Sequence, residues 1–242
     1  MRSETEQQPN SATKPQRVPA QTRDAERTKA AVLAAATREF ADHGFGGARI
    51  ELVAKRAKVN KQLIYYYFGS KEALYVAVLE ETYARLRASE AALDVDALDP
   101  VQGITELALF NWRYHCQHPE LISIVRTENL HKAKFLKRSE RVRSLNSPLI
   151  ATLEALLRRG VEQGVFRADV DAVQTYMTIA ALSFYYLSNQ WTLRVHFNLR
   201  PPEKDVLDAW GSHIVQVVLA SLRPGAGASK TGGDDHEVRT LR

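Results

Sequence analysis

"VNKQLIYYYFGSKEAL", Val59–Leu74, decides how the rest of the chain is read. Three tyrosines and a phenylalanine fall within about two helical turns. A buried helix has no use for tyrosine hydroxyls, and a solvated helix has no use for rings. On a helical wheel at ~100° per residue the stretch resolves into three faces. Ile64 and Phe68 point one way, as a core face does. Lys61, Gln62, Tyr65 and Tyr66 form a polar arc on the opposite side. Leu63 and Tyr67 lie on the flank. The pattern predicts a helix over 61–68 that packs on one side and presents long polar arms on the other.

The flanking residues supply the punctuation. Asn60 is an N-cap and Gly69 a stop. Ser70 caps a further helix from Lys71 to about Ala92. Upstream, Ile50, Val53, Ala54 and Ala57 recur at i, i+3, i+4 and i+7, which predicts a short helix over 50–57. Lys58-Val59-Asn60 is the turn between the two short helices. Before them, Val32, Leu33, Ala36 and Phe40 share a face of a helix from Asp24 to His43, which Gly44 ends. Two short helices joined by a tight turn, after a longer one, form a helix-turn-helix pattern. In that pattern Lys61 and Gln62 lie in the first turn of the groove-entering helix, where base edges are met. Tyr65, Tyr66 and Tyr67 reach phosphates or thymine methyls. Lys71, at the open N-terminus of the next helix, suits a phosphate.

Charge agrees with this placement. The net charge is +5 over 242 residues. Residues 23–71 hold ten Lys or Arg against five Asp or Glu, which accounts for a surplus of that size in one segment. A basic block beside a near-neutral body fits a polyanion partner. Cys116 is the only cysteine, which rules out an intrachain disulfide. The first residues lack the apolar run of a secretory signal, and no apolar run is long enough to cross a bilayer, so a cytoplasmic protein is expected. Residues 1–22 and 224–242 are rich in small and polar residues and read as a disordered arm and tail.

The segment "GGARIELVAKRAKVNKQLIYYYFGSKEAL" strongly resembles the DNA-binding segment of TetR-type bacterial transcriptional regulators. Val53-Ala54, Ala57, Val59, Ile64-Tyr65, Phe68 and Ser70-Lys71-Glu72 carry the match. The resemblance implies base-edge roles for Lys61, Gln62 and Tyr66. It implies phosphate or positioning roles for Arg49, Leu63, Tyr65, Tyr67 and Lys71. Two departures stand out. The family's turn glycine is Lys58 here, which implies a non-glycine residue at positive φ. The family's threonine before the second helix is replaced by Ala48 or Arg49, which removes its cap.

The remainder, 72–223, reads as an all-helical effector-binding and dimerisation body. Helices are expected from Asp99-Pro100 to Gln117, from Glu120 to His131 and from Ser147-Pro148 to Gly164. Two more run from a cap at Asp169 to about Trp191 and from Glu203 to Leu222. Effector candidates are the aromatic Phe110, Trp112, Tyr114, Tyr176, Tyr185, Tyr186 and Trp191, with Asn129 and Asn189 as polar anchors. The last two helices are apolar enough to pair with a second copy. Tyr176, Trp210, Ile214, Val217 and Val218 are the interface candidates. The run "HKAKFLKRSERVR", 131–143, reads as a basic helical face, solvated or turned to an anion.

No catalytic set emerges, and no cofactor is expected. The fold class is therefore all-α, with an N-terminal helix-turn-helix domain over 23–71. The expected function is a homodimeric repressor that binds a pseudo-palindromic double-stranded operator and is released by a small molecule. The alternative is a helical metal sensor or enzyme using His115, Cys116 and His118, since His115 and His118 have the i, i+3 spacing of ligands. Indifference to DNA sequence would instead mark a non-specific nucleic-acid binder.

Overall fold

The structure is a computed structural model that describes residues 20–144 and 147–225. Among the described residues ten α-helices follow one another and no strand occurs. The first four are α1 (Ala20–Gly47), α2 (Ile50–Ala57), α3 (Lys61–Phe68) and α4 (Lys71–Ala91). The body holds α5 (Pro100–Gln117), α6 (Pro119–Leu130), α7 (Glu140–Ser144), α8 (Ser147–Glu162), α9 (Ala172–Phe197) and α10 (Lys204–Leu222). A short 3-10 turn, Leu136–Arg138, precedes α7.

The local signals explain most boundaries. Asn60 Oδ1 accepts from the Leu63 N–H at 2.7 Å, and Ser70 Oγ from the Ala73 N–H at 3.1 Å. Asp99 Oδ1 accepts from Val101 and Gln102 ahead of a first-turn proline. Each bond satisfies a donor that the helix leaves open. Gly44 breaks α1 at φ 65 and ψ 177, so one further turn to Gly47 lies beyond the kink.

Four expectations need correction. α1 begins at Ala20, so residues 20–22 are helical rather than part of a disordered arm. The cap of α9 is Asp171, whose carboxylate accepts from the Gln174 N–H, and not Asp169, which pairs with Arg167. α9 runs six residues past Trp191 and ends at Asn198 in the left-handed region. The basic run 131–143 is a turn, a 3-10 segment and a five-residue helix rather than one helical face. The rest of the expected arm and most of the tail lie outside the described residues.

Two cores organise the molecule. The first joins Val32, Ala36 and Phe40 of α1 to Val53 of α2 and Ile64 of α3. It extends into α4 through Leu74, Tyr75, Val78 and Leu79, and takes in Ile124 and Phe135 from further along the chain. The second packs α5, α8, α9 and α10 around Ile104, Leu153, Leu156, Ile179, Ile214 and Val218. α4 leaves the first core and runs along the second, so it connects the two.

Candidate nucleic-acid interface and effector cavity

α2 and α3 owe their angle to shared burial. Ile64 is 1% exposed and meets Val53, which is fully buried. Burying side chains of this size stabilises the pair by about 1.5–3 kcal/mol each. With Ile64 as pivot, the rest of α3 is fixed in orientation. Lys61, Gln62, Tyr65 and Tyr66 are exposed, and Leu63 and Tyr67 are half-buried. Tyr66 stands furthest out, at 80% exposure. Its ring meets that of Tyr67 edge-on at 5.3 Å. Lys61 Nζ pairs with Glu51 on α2 at 2.5 Å, and that bond holds the Glu51 carboxyl below the ordinary carboxylate range.

The two sequence departures have structural answers. Lys58 adopts φ 56 and ψ 40, the left-handed conformation that a glycine would take freely, at a cost of about 1–2 kcal/mol. Arg49 occupies the N-cap of α2 and makes no side-chain cap. Its N–H donates instead to Glu39 Oε1 on α1, at 3.1 Å. Glu39 is fully buried. Arg56 Nη1 lies 3.0 Å from its other oxygen, near enough to pair charges although not aligned for a hydrogen bond. His43 Nδ1 stands 3.5 Å from Oε1. A carboxylate from α1 thus fixes both ends of α2. Sequence reading missed Glu39, because an acid beside Phe40 carries no periodic signal.

Arg49 and Lys71 flank the α3 arc. Arg49 is exposed. Lys71 lies at the N-terminus of α4, with Nζ 5.0 Å from the Phe45 ring and 3.5 Å from the Gly46 carbonyl oxygen. Seven cationic, amide or phenolic side chains (Arg49, Lys61, Gln62, Tyr65, Tyr66, Tyr67 and Lys71) therefore surround α2 and α3, with Leu63 among them.

The body holds a cavity of about 300 Å³. Leu93, Val95, Leu107 and Leu149 give it apolar walls, and Arg87 and Glu90 stand at its edge. Arg87 pairs with Glu90 and donates to the Tyr176 hydroxyl at 3.2 Å. Burial holds the Glu90 carboxyl above the ordinary range despite the adjacent guanidinium. The cavity lies between α4, α5 and α8, with Ser144 of α7 at its rim.

The aromatic candidates go elsewhere. Trp112 is buried, and its Nε1 donates to the Leu207 carbonyl of α10 at 2.9 Å. A Cβ on Gly211 would come within 2.8 Å of its ring, so glycine there lets α10 approach α5. Tyr186 stacks on Trp210 and meets Trp112 edge-on. Tyr114 and the half-buried Phe110 pack with Leu86 and Leu121. Tyr185 and Trp191 are exposed on α9. Asn189 Nδ2 donates to the Tyr185 carbonyl within α9, and Asn129 Nδ2 to the Val125 carbonyl within α6. None of these candidates lines the cavity, and Tyr176 meets it only indirectly, by accepting from Arg87 at its edge.

Ile214 and Val218 are fully buried in this chain's own second core, which removes them from any surface. Trp210 and Val217 are half-buried and Tyr176 is partly exposed. The exposed large apolar residues of α9 are Val173, Met177, Tyr185, Trp191, Val195 and Phe197. Val173, Met177, Trp191 and Val195 share one face by their spacing.

His115, Cys116 and His118 do not converge. His115 is buried, and burial with His118 nearby pushes its pKa down to about 4. Burial raises the Cys116 thiol to about 11. His118 Nδ1 lies 3.0 Å from Glu120 Oε1, and its ring lies against Tyr114. No group of three potential ligands comes together among the described residues.

A helix-turn-helix whose exposed arc is cationic, amide and phenolic, joined to a helical body with an apolar cavity, defines a DNA-binding regulator. Comparison with known proteins gives the family. Residues 32–78 match the family model of bacterial regulatory proteins of the tetR family, and residues 100–218 that of the tetracyclin repressor-like C-terminal domain. The chain is 38% identical over 199 residues to the HTH-type transcriptional repressor NicS of Pseudomonas putida, covering 82% of this chain and 94% of that one. It is 36% identical over 163 residues to the HTH-type transcriptional repressor SCO4008 of Streptomyces coelicolor, covering 66% and 79%. The fold matches that of the fatty acid degradation regulator FadR of Bacillus halodurans with a TM-score of 0.63 at 22% identity, over 81% of this chain and 96% of that one. The chain belongs to the TetR family of bacterial transcriptional regulators. No described helix is long and apolar enough to cross a membrane.

Proposed function

We propose that the protein is a homodimeric repressor that reads its operator with α3 and leaves it when a small molecule fills the body. The exposed arc of α3 on a buried Ile64 carries the reading. Lys61 and Gln62 meet base edges, with Tyr66 beside them. Arg49, Tyr65, Tyr67 and Lys71 hold phosphates, and Leu63 sets the depth of entry. The sign of regulation is supported by two relatives named as repressors.

Two copies present their α3 helices to half-sites one turn apart, ~34 Å. The apolar face of α9, with Trp210 and Val217 of α10, supplies the seam. The effector occupies the cavity beside Arg87 and Leu107. At about 300 Å³ it fits a small, largely apolar compound with one polar group for Arg87 or Glu90. Filling the cavity shifts α4, which carries Lys71 at its start, and so changes the spacing of the two heads. The effector must bind the released state more tightly than the DNA-bound one.

Sequencing the genomic fragments that the purified protein retains tests the reading. One enriched motif with two related half-sites is expected. Retention without any motif would make the protein a non-specific nucleic-acid binder.

A further inference from the structure

The basic run 131–143 has no role in operator reading or effector release as proposed, yet it is built into the side of the DNA-binding head. Phe135 is 1% exposed and belongs to the head's core. Its ring centre lies 4.4 Å from that of Phe45 and 5.1 Å from that of Tyr75. Three cations gather round this ring pair. Lys71 Nζ is 5.0 Å from the Phe45 ring, Lys134 Nζ 5.4 Å from the Phe135 ring, and Arg138 Cζ 5.8 Å from it. Lys71 is also the phosphate candidate at the head of α4. Lys134 and Arg138 of the connector and Lys71 of the head therefore share one packed ring pair.

Two features separate this from an ordinary solvated charge run. The first is pairing. Arg143 pairs with Glu140, and Arg141 lies 3.9 Å from Glu80. Lys132, Lys134, Lys137 and Arg138 are exposed and have no acidic partner within 4 Å among the described residues. Glu72 is the one exposed acid in the first turn of α4, beside Lys71. The second is the backbone. Lys132 and Ala133 both stand at φ 55, consecutive left-handed residues neither of which is glycine. L residues avoid that conformation, and it persists only where surroundings impose it. Here the Ala133 N–H donates to the Glu128 carbonyl at 2.8 Å, and the Leu136 N–H to Glu128 Oε2 at 2.9 Å. The Ser139 hydroxyl donates to Glu80 Oε1 on α4 at 2.7 Å. The turn is pinned at three points against α6 and α4, and two of its four unpaired cations, Lys134 and Arg138, lie over the Phe135 ring, which packs on the Phe45 ring beneath Lys71.

We infer that the connector 132–138 is a second DNA-binding surface that grips the phosphate backbone flanking each half-site, outside the part read by α3. The inference rests on the DNA-binding reading of α3. Duplex DNA offers one negative charge per ~1.7 Å of axis, so exposed unpaired cations on a pinned turn that packs on the Lys71 side of the head meet phosphates without reading bases.

The test uses the full chain and two duplexes bearing the selected operator. One extends about ten base pairs beyond each half-site, and the other stops at the half-site edges. The variant carries Lys132→Ala, Lys134→Ala, Lys137→Ala and Arg138→Ala. A control carries Lys132→Arg, Lys134→Arg, Lys137→Arg and Arg138→Lys, which keeps every charge. On the long duplex the alanine variant is expected to lose tenfold or more in affinity at low salt. Its plot of log affinity against log salt should be shallower by about 0.9 for each phosphate no longer neutralised, or about 1.8 for one phosphate per protomer. The control should match the parent, and on the short duplex all three proteins should agree. The same affinity and slope for the alanine variant and parent on the long duplex would overturn the inference. Equal weakening on both duplexes would also overturn it, as would a change confined to effector response. A parent that shows no preference for the selected operator would instead defeat the DNA-binding reading itself.

Discussion

At the scale of single residues, Lys58 and His115 show what the chain tolerates. Lys58 closes α2 at positive φ, and the resemblance to the family already implied that conformation. Lys58→Gly should therefore stabilise the protein by up to about 1 kcal/mol, as relief of strain outweighs the entropy of glycine. A urea midpoint that falls on this substitution would contradict the strain. His115 has its pKa lowered from 6.5 to about 4 by burial, with His118 adding to the effect. The unfolded chain takes up its proton first as pH falls. The stability tied to neutral His115 is then present above pH 6.5 and is lost as pH falls towards 4. That loss is on the order of 3 kcal/mol. His115→Asn should flatten the fall in urea stability between those values, and an unchanged slope would show that other groups dominate. The α3 residues were legible singly because a wheel alone separates Ile64 from Tyr65 and Tyr66. Glu39 was not, because its partners Arg49 and Arg56 meet it only once α1 and α2 have packed.

At the scale of elements, caps and breakers set most helix ends. Asn60, Ser70 and Asp99 act as their sequence positions imply. α9 was harder to bound, because it is apolar all round and its boundary signals compete. Asp169 was expected as the cap, and it is Asp171, two residues on, that accepts from the helix. Periodicity placed Ile214 and Val218 correctly on one apolar face of α10. It could not say whether that face meets the same chain or another, and they are buried in their own chain. The apolar face left exposed is that of α9. Met177→Asp combined with Trp191→Asp should give a folded monomer by sedimentation, because each charge would otherwise be desolvated in the seam. Ile214→Asp should unfold the body instead. A dimer that survives the α9 double substitution would move the seam elsewhere. The connector after α6 was legible as charge but not as shape, since nothing in its pattern announced that Phe135 plugs the head.

At the scale of the whole molecule, α4 runs from the head's core to the body. Leu74 and Tyr75 of α4 lie in the head's core, while Arg87 and Glu90 line the cavity some three to four turns away. Ser144, at the end of α7, also lines the cavity. A ligand in the cavity thus touches α4, which enters the head, and α7, which follows the connector that does. Effector and operator should weaken each other's binding by one common factor, expected at about 5- to 150-fold. Titration of the effector with and without operator, followed by tryptophan fluorescence, measures both arms, and equal affinities would leave the body a scaffold. The helix-turn-helix ahead of a helical body was legible because the motif is local in sequence. The cavity was not, because its walls come from α4, α5 and α8 and only the fold brings them together. The central claim is that α3 reads sequence while Lys71 only holds the backbone. Its most direct measurement compares affinity for the selected operator and for a scrambled duplex at fixed salt. Lys61→Ala and Gln62→Ala should each cost roughly 1–3 kcal/mol on the operator and little on the scrambled duplex, while Lys71→Ala should weaken both alike. An operator preference that survives the loss of both Lys61 and Gln62 would contradict the account.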